Sequence, residues 1–340
     1  MEKRQPQNDS EPNYIASLPK RGLYLVAATG AMVAWIVMVG RILSDEHPIF
    51  DLASHLSWHT WVALSALLIV SCLGMSIHRD EHRLHWWHRC IMGLPPWVYF
   101  TWVTQPWTVL PIAINDVEAK GLKIMAWNVW VSNRTPDQVL NLIRENNADV
   151  VAIIELGHEQ AKVLQQLNNE YPNRLWLPDA SSRGIAMLSR IPETQFREID
   201  LGDQGMPAIE ADIPAGQNHK GFRVLAVHTR SPDLHSRTLD RNQQLMGLSH
   251  WAKSSSKQGV IVGDLNITPW SPPFARLLSE GNVEDSRNYR GHFASWPTIL
   301  GHFAIPIDHA LVTRGSQVLF RSVGTTATDS DHRPITIIVK

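Results

Sequence analysis

No charged side chain occurs between Leu23 and Gly40, and continuing the run to Leu43 reaches about the 20 residues that an α-helix needs to cross a hydrocarbon core. A first membrane span is expected there. From Trp58 to Ile77 the chain is again free of Asp, Glu, Lys and Arg, with Trp58 and Trp61 near one end, where aromatic rings favour the interface. This predicts a second span. The stretch from Ile91 to Ile114 is also uncharged, but Pro95, Pro96, Pro106 and Pro111 each remove a backbone donor, so it defines two spans or three. Buried helices of a soluble domain need polar faces at helical spacing, and the first two runs show almost none.

The charges around these runs carry an orientation. Lys3, Arg4, Lys20 and Arg21 precede the first run, Asp45, Glu46 and Asp51 follow it, and Arg79, Arg83 and Arg89 follow the second. By the positive-inside rule the N-terminus and the second loop are cytoplasmic. Three spans then set the remainder of the chain outside the cytoplasm, and two keep it inside. The long first run and the hydrophobic segments after it favour an uncleaved anchor in the plasma membrane over a cleaved signal peptide. His78, His82, His85 and His88 recur at near-helical intervals, but a loop of basic and aromatic residues between spans reads the same way.

Composition changes near Asp116 to Gly121, beyond which apolar runs mix with Arg, Asp and Glu as in a soluble domain. The expected organisation is a cytoplasmic tail over 1–22, a membrane region over 23–114, a linker over 115–122 and a folded domain over 123–340. Both cysteines, Cys72 and Cys90, lie in the apolar part, so the folded domain contains no internal disulfide.

Within that domain, Leu122–Trp127, Val150–Ile154, Gly184–Leu188, Phe222–Val227, Gly259–Val262 and Ile335–Val339 are short apolar runs rich in β-branched residues, as buried strands are. Helical patterns lie between several of them. Thr135 before Pro136 predicts an N-cap, and further helices are expected over 159–167, 236–251 and, opened by Pro272 and Pro273, 274–278. The domain is therefore α/β with one or two sheets, and no internal repeat is visible in the sequence.

Several strands end abruptly in polar groups, and α/β proteins commonly place ligands at such edges. Lys123–Asn128 ends in Asn128, Asp149–Glu155 in Glu155, Arg223–His228 in His228, and Gly259–Asn266 in Asp264 and Asn266; Ile307-Asp308-His309 and Ser330-Asp331-His332-Arg333-Pro334 come later. A lone Asn or Asp after a strand is usually a turn former, and a lone His usually a satisfied structural group. The ordered set is more specific, because it requires several independent coincidences.

This succession resembles the endonuclease/exonuclease/phosphatase family over about two-thirds of the chain, in a membrane-anchored, bacterial-type form. The resemblance implies a DNase-like, four-layer sandwich of two sheets flanked by helices, following the N-terminal transmembrane helices. It also implies hydrolysis of a phosphoester with Mg2+ or Mn2+. On that likeness Glu155, Asn128 and Asp331 are the metal candidates. Asp264 orients and deprotonates the attacking water, and Asn266 holds a phosphate oxygen. His332 contacts the phosphate with Asp308 behind it, and His228 is a second imidazole on the phosphate. Arg183 and Arg241 are candidate phosphate contacts, against the alternative that both are solvated surface arginines.

The substrate stays open between nucleic acid and a lipid headgroup. The net charge of −1 lacks the basic excess of a tight duplex binder, and a bilayer anchor makes a phospholipid or sphingomyelin-type phosphodiester attractive. Trp176, Trp251, Trp270 and Trp296 could stack bases or touch lipid, and equally serve as packing. A membrane-tethered binding module that keeps the fold without catalysis is the reading from a different class.

Overall fold

The computed structural model describes residues 14–44, 47–77, 82–105, 120–202, 205–233, 236–288, 291–325 and 328–340; for 14–27, 77 and 82–85 it describes the backbone. His78 and the side chains of His82 and His85 lie outside this set, as do Pro106 and Pro111. The chain divides into two compact units. One comprises the residues up to Val39 with Leu56–Thr104, the other Gly40–His55 with everything from Gln105.

The first unit is helical. Helix α1 (Tyr14–Ile42) begins inside the segment expected to be a tail. α3 (Ser57–Ile77) covers the second apolar run, and α4 (His82–Thr104) carries Pro95 and Pro96 in its interior. Among the described residues only Ser57–Ser76 is a helix long and apolar enough to cross a membrane, and the apolar part of α1 is the shorter Ala28–Ile42. Ala34, Val37, Leu64 and Phe100 form a small core, with Trp61 donating to Thr101 Oγ1 at 2.8 Å and Trp97 to Ser65 Oγ at 2.9 Å. Most of the apolar surface stays outside that core: Ile36, Ile69, Leu73, Val98 and Trp102 are each more than half exposed.

The second unit holds two six-stranded sheets. β1 (Leu122–Asn128), β2 (Val150–Ile154), β3 (Asn173–Leu177), β4 (Ile185–Ser189), β11 (Val318–Val323) and β12 (Ile335–Val339) form one, in the order β11-β12-β1-β2-β4-β3. β5 (Gln195–Ile199), β6 (Ala208–Ile213), β7 (Phe222–His228), β8 (Gly259–Asp264), β9 (Val283–Asp285) and β10 (Asp308–Thr313) form the other, in the order β5-β6-β7-β8-β10-β9. Each sheet has one parallel pair, β1 with β2 and β7 with β8, while the remaining neighbours are antiparallel. The two sheets thus repeat one strand arrangement, although no repeat shows in the sequence. What the halves share is backbone pairing and apolar alternation, and many different side chains satisfy both.

Alternate residues of the central strands face opposite ways, which builds the layers. Ile124, Ala126, Ala152 and Ile154 from one sheet meet Val224, Ala226, Val260 and Val262 from the other in a single core between the sheets. The intervening residues Met125, Trp127, Val151 and Ile153 pack outward on α5 (Pro136–Asn146) and α6 (His158–Leu164). Leu225, Val227 and Ile261 pack on α7 (Ser236–Lys253) and α8 (Pro272–Gly281) in the same manner. The result is helices, sheet, sheet, helices.

All six expected strands are present within one or two residues. Those not anticipated include every edge strand, β3, β5, β9 and β11, and three of these are half-exposed sequences such as Gln195–Ile199, whose mixed polarity carries no buried-strand signal. Thr135 is the N-cap residue of α5, as expected, but its side chain makes no capping bond: its Oγ1 donates to Asn133 Oδ1 at 2.8 Å and accepts from the Asp329 N–H at 3.0 Å.

One glycine is dictated by sheet geometry. Gly263 has φ +135°, and a Cβ there would lie 2.0 Å from the carbonyl oxygen of Val227 on the paired strand β7. Gly263→Ala combines a strained backbone with overpacking and is expected to destabilise the domain by about 2–4 kcal/mol. Thermal unfolding checks this, and an unchanged midpoint would show that β8 relaxes freely.

Candidate active site

The parallel pairs bring polar residues of both sheets to one edge. Asn128 is the last residue of β1 and pairs with Ile154, immediately before Glu155; His228 and Asp264 are register partners at the ends of β7 and β8, and Asp308 opens β10 opposite Asp264. Cross-strand partners point to the same face, so His228, Asp264 and Asp308 stand in a row across three strands.

His332 comes from the loop before β12, and β1 holds that loop. Trp127 Nε1 donates to His332 O at 3.0 Å, Ser330 Oγ donates to Asn128 O at 2.7 Å, and His332 N donates to Ser330 Oγ at 3.1 Å. The side chains then interlock. Asn128 Nδ2 donates to Glu155 Oε1 at 3.0 Å and to Asp264 Oδ2 at 3.1 Å. The ring of His332 bonds Asp308 Oδ2 through Nδ1 at 2.9 Å, and its Nε2 faces Asp264 Oδ2 at 3.7 Å. His228 Nε2 lies 3.8 Å from both Glu155 Oε1 and Asp264 Oδ2, with its Nδ1 2.9 Å from Ser182 O. Asn266 donates its backbone N–H to Asp264 Oδ1 at 2.9 Å and its Nδ2 to Thr229 O, also at 2.9 Å.

Two of these residues occupy the left-handed region, Glu155 at φ +57° and Asn266 at φ +47°. Such a conformation costs an L-residue about 1–2 kcal/mol, least for Asn. The Leu156 N–H donating to Gly184 O at 2.9 Å helps hold the chain at Glu155 in place.

Burial controls the charges here. Asp264 is pushed up to about 6, chiefly by loss of water and also by repulsion from Asp308, with His332 and His228 pulling the other way. Burial opposes a charge on His332, but Asp308 and Asp264 outweigh it and raise the imidazole to about 10. Asp308 stays low despite burial, because His332 and the Ser295 hydroxyl favour its ionised form. The neighbouring His309 is a structural group: burial lowers it to about 4, and its Nε2 lies 2.8 Å from Ile267 O.

Glu155, His228, Asp264, Asn266, Asp331 and His332 line one cavity of about 510 Å3, while Asn128 and Asp308 are buried beneath it. Trp130 and Trp296 add to the wall, and Trp296 Nε1 donates to Asp331 Oδ2 at 2.9 Å. The eight catalytic and metal candidates are thus together, while the two arginines are not. Arg183 borders a different cavity of about 730 Å3 and pairs with Asp179 at 3.3 Å, as a surface arginine does. Arg241 is fully buried and bound to Asp51 at 2.5 Å, so it is neither a phosphate contact nor solvated. Leu52 and His55 also line the active cavity, and nothing in the sequence connects them with it.

Among the described residues, Asp264, Asp308 and His332 can each offer one ligand atom within 4.8 Å of the others, a set different from Glu155, Asn128 and Asp331. Its Asp308 and His332 are already hydrogen-bonded to each other. Asp331 Oδ1, by contrast, is buried with no hydrogen-bond partner among the described residues. Glu155 and Asp331 supply hard oxygens, and the sequence beyond Gly121 holds no cysteine, which suits Mg2+ or Mn2+.

Residues 125–332 match the model of the endonuclease/exonuclease/phosphatase family, and the chain belongs to that family. The fold is shared with solved structures. A humanized TDP2 from D. rerio superposes with a TM-score of 0.53 at 15% identity, covering 65% of this chain and 99% of that one. The 3′ phosphatase NExo from Neisseria, bound to product DNA hairpin, gives 0.53 at 21% over 64% of this chain and 99% of that one. An endonuclease/exonuclease/phosphatase from Beutenbergia cavernae gives 0.51 at 19% over 65% and 72%. No curated protein matches the sequence. Members of the family are phosphoester hydrolases that use divalent metals.

The Asp308–His332 pair makes a prediction about stability. His332 is raised in the folded protein, so its contribution is complete below its unfolded value of 6.5 and is lost as pH climbs through about 10. In metal-free protein the melting temperature should fall across that window, and Asp308→Asn should flatten the fall. An equally steep fall in the variant would separate His332 from Asp308.

Proposed function

We propose that this chain is a divalent-metal-dependent phosphodiesterase, nuclease-like in its chemistry, held to a membrane by its N-terminal helices. The observation carrying the reading is the meeting of Asn128, Glu155, His228, Asp264, Asn266, Asp308, Asp331 and His332, from distant segments, around one cavity.

A phosphodiester repels nucleophiles with its anionic oxygens, so the site has to cancel charge and aim a water. Asp264, poised near neutrality and fixed by the Asn266 N–H, takes a proton from that water as its oxygen attacks phosphorus and the bond to the leaving oxygen breaks. His332 is held cationic by Asp308 and offers its Nε2 hydrogen to a phosphate oxygen; His228 offers a second imidazole. Asn128 keeps Glu155 and Asp264 at a fixed spacing. A magnesium or manganese ion held by Glu155 and Asp331, with Asn128 beside it, would draw charge from the phosphate oxygens and favour attack.

The apolar surface exposed on α1, α3 and α4 supports the anchor, because soluble proteins seldom display so much. Residues 40–55 fold with the catalytic unit, which supports a reading in which the loop following α1 and the sheets share one side of the membrane. Among the described residues only α3 meets the length and apolarity of a span; with α1 and α4 crossing as well, the basic N-terminus would favour an extracytoplasmic site at the plasma membrane.

Purified full-length protein should hydrolyse bis-p-nitrophenyl phosphate with Mg2+ or Mn2+ and lose that activity to a chelator. Asp264→Asn and His332→Ala should each lower kcat by about 10²–10⁴-fold. Near-wild-type turnover by either variant would remove these roles, and inertness towards nucleic acid, phospholipid and the synthetic diester alike would favour a binding module. A reporter fused after Lys340 tests the orientation: activity confined to the cytoplasm overturns it.

A further inference from the structure

The loop between α1 and α3 has a place in the catalytic unit that its sequence does not suggest. It carries the short helix α2 (Pro48–Ser54), and Asp51 on that helix is fully buried. Asp51 Oδ1 accepts from Ser271 Oγ at 2.7 Å and Oδ2 from Arg241 Nη2 at 2.5 Å. Arg41, just before the loop, donates Nε to Trp270 O at 2.9 Å. Burial works against ionisation of Asp51, yet His55 and Arg241 hold it well below the usual carboxylate range, so the pair is ionic.

Arg241 continues inward. Its Nη1 donates to the carbonyl oxygen of Asn266 at 3.1 Å, and Asn242 Oδ1 takes Nε at 3.2 Å and Nη2 at 2.8 Å, which fixes the guanidinium plane. Asn266 is in the left-handed conformation, and its N–H is the donor that orients Asp264. A continuous polar path therefore runs Asp51, Arg241, Asn266, Asp264. Leu52 and His55, on and just after α2, line the same cavity as Glu155 and His332.

We propose that Asp51 is a positioning residue of the active site: through Arg241 it holds the Asn266 backbone, and with it the Asp264 carboxylate, so the loop between the first two helices of the anchor is a working part of the catalytic unit. This rests on the phosphoesterase reading above. The guanidinium fork serves the Asp51 carboxylate and the Asn266 carbonyl together; Asn242 orients it, but a neutral amide cannot balance its charge, and Asp51 does. Without Asp51, Arg241 is a buried cation lacking its counter-ion and has to move towards water, releasing Asn266. A chain beginning at Lys120 has that defect built in.

The test uses full-length protein in detergent, with bis-p-nitrophenyl phosphate and Mn2+ as probes. Asp51→Asn should lower kcat by about ten- to a hundredfold, the scale of a small misplacement of a catalytic group, and leave KM within about twofold. Because an unpaired Arg241 can unfold the protein, the double variant Asp51→Leu/Arg241→Met removes both charges; it should melt near wild type and still show the kcat loss. Amide exchange at Asn266 should quicken in both variants. A double variant with wild-type kcat and unchanged exchange at Asn266 overturns the proposal and leaves the pair as a structural bridge. Absence of turnover in wild-type protein sinks the phosphoesterase reading instead, and the exchange measurement then decides the loop: faster exchange supports its grip on Asn266, unchanged exchange refutes it.

Discussion

Asn128 donates one amide group to two carboxylates from different sheets, Glu155 at 3.0 Å and Asp264 at 3.1 Å. Carboxylates gathered in one site repel one another, as Asp308 does Asp264, and here neutral and cationic donors stand between them. Asn128 separates Glu155 from Asp264, and His332 fills the space between Asp264 and Asp308. Each of these donors is aimed by packing elsewhere: Asn128 by the end of β1, and His332 by Trp127 and Ser330 beneath it. The chemistry is therefore inseparable from the face-to-face contact of the two sheets.

The duplicated strand order explains why one edge collects so much function. In each sheet a parallel pair ends at the same rim, so Asn128 with Glu155 and His228 with Asp264 occupy equivalent stations. Antiparallel β10 then starts where β8 stops, which delivers Asp308 to the back of the site. The surrounding loops take strained or tightly bonded forms, as at Glu155 and Asn266, because a turn at this rim has to present a side chain and return the chain at once.

How far the sequence could be read follows from what kind of signal each residue carries. Val150–Ile154 and Ile335–Val339 are buried on both faces and announce themselves as unbroken apolar runs. Gln195–Ile199 and Asn173–Leu177 lie at sheet edges with one side wet, and their composition is that of a loop. The terminal polar groups Asn128, Glu155, His228, Asp264, Asp308 and His332 stand out because they interrupt or follow such runs. The pairing of Arg241 with Asp51 did not. One sits mid-helix and the other in a loop between apolar segments, 190 residues apart, and each looks like ordinary solvated charge until burial pairs them.

Local chemistry in the chain determined the strand–helix alternation, the polar tips of the buried strands and the uncharged runs before Gly121, since each depends on neighbours only a few residues away. Tertiary structure decided what those tips do to one another: that Asp264 rises towards neutrality while Asp308 stays ionised, that Arg183 remains at the surface while Arg241 is enclosed, and that residues 40–55 belong with the sheets. The reason is physical. Desolvation and charge pairing act through space, over a few ångströms between groups that lie tens to hundreds of residues apart, and no local pattern encodes that distance.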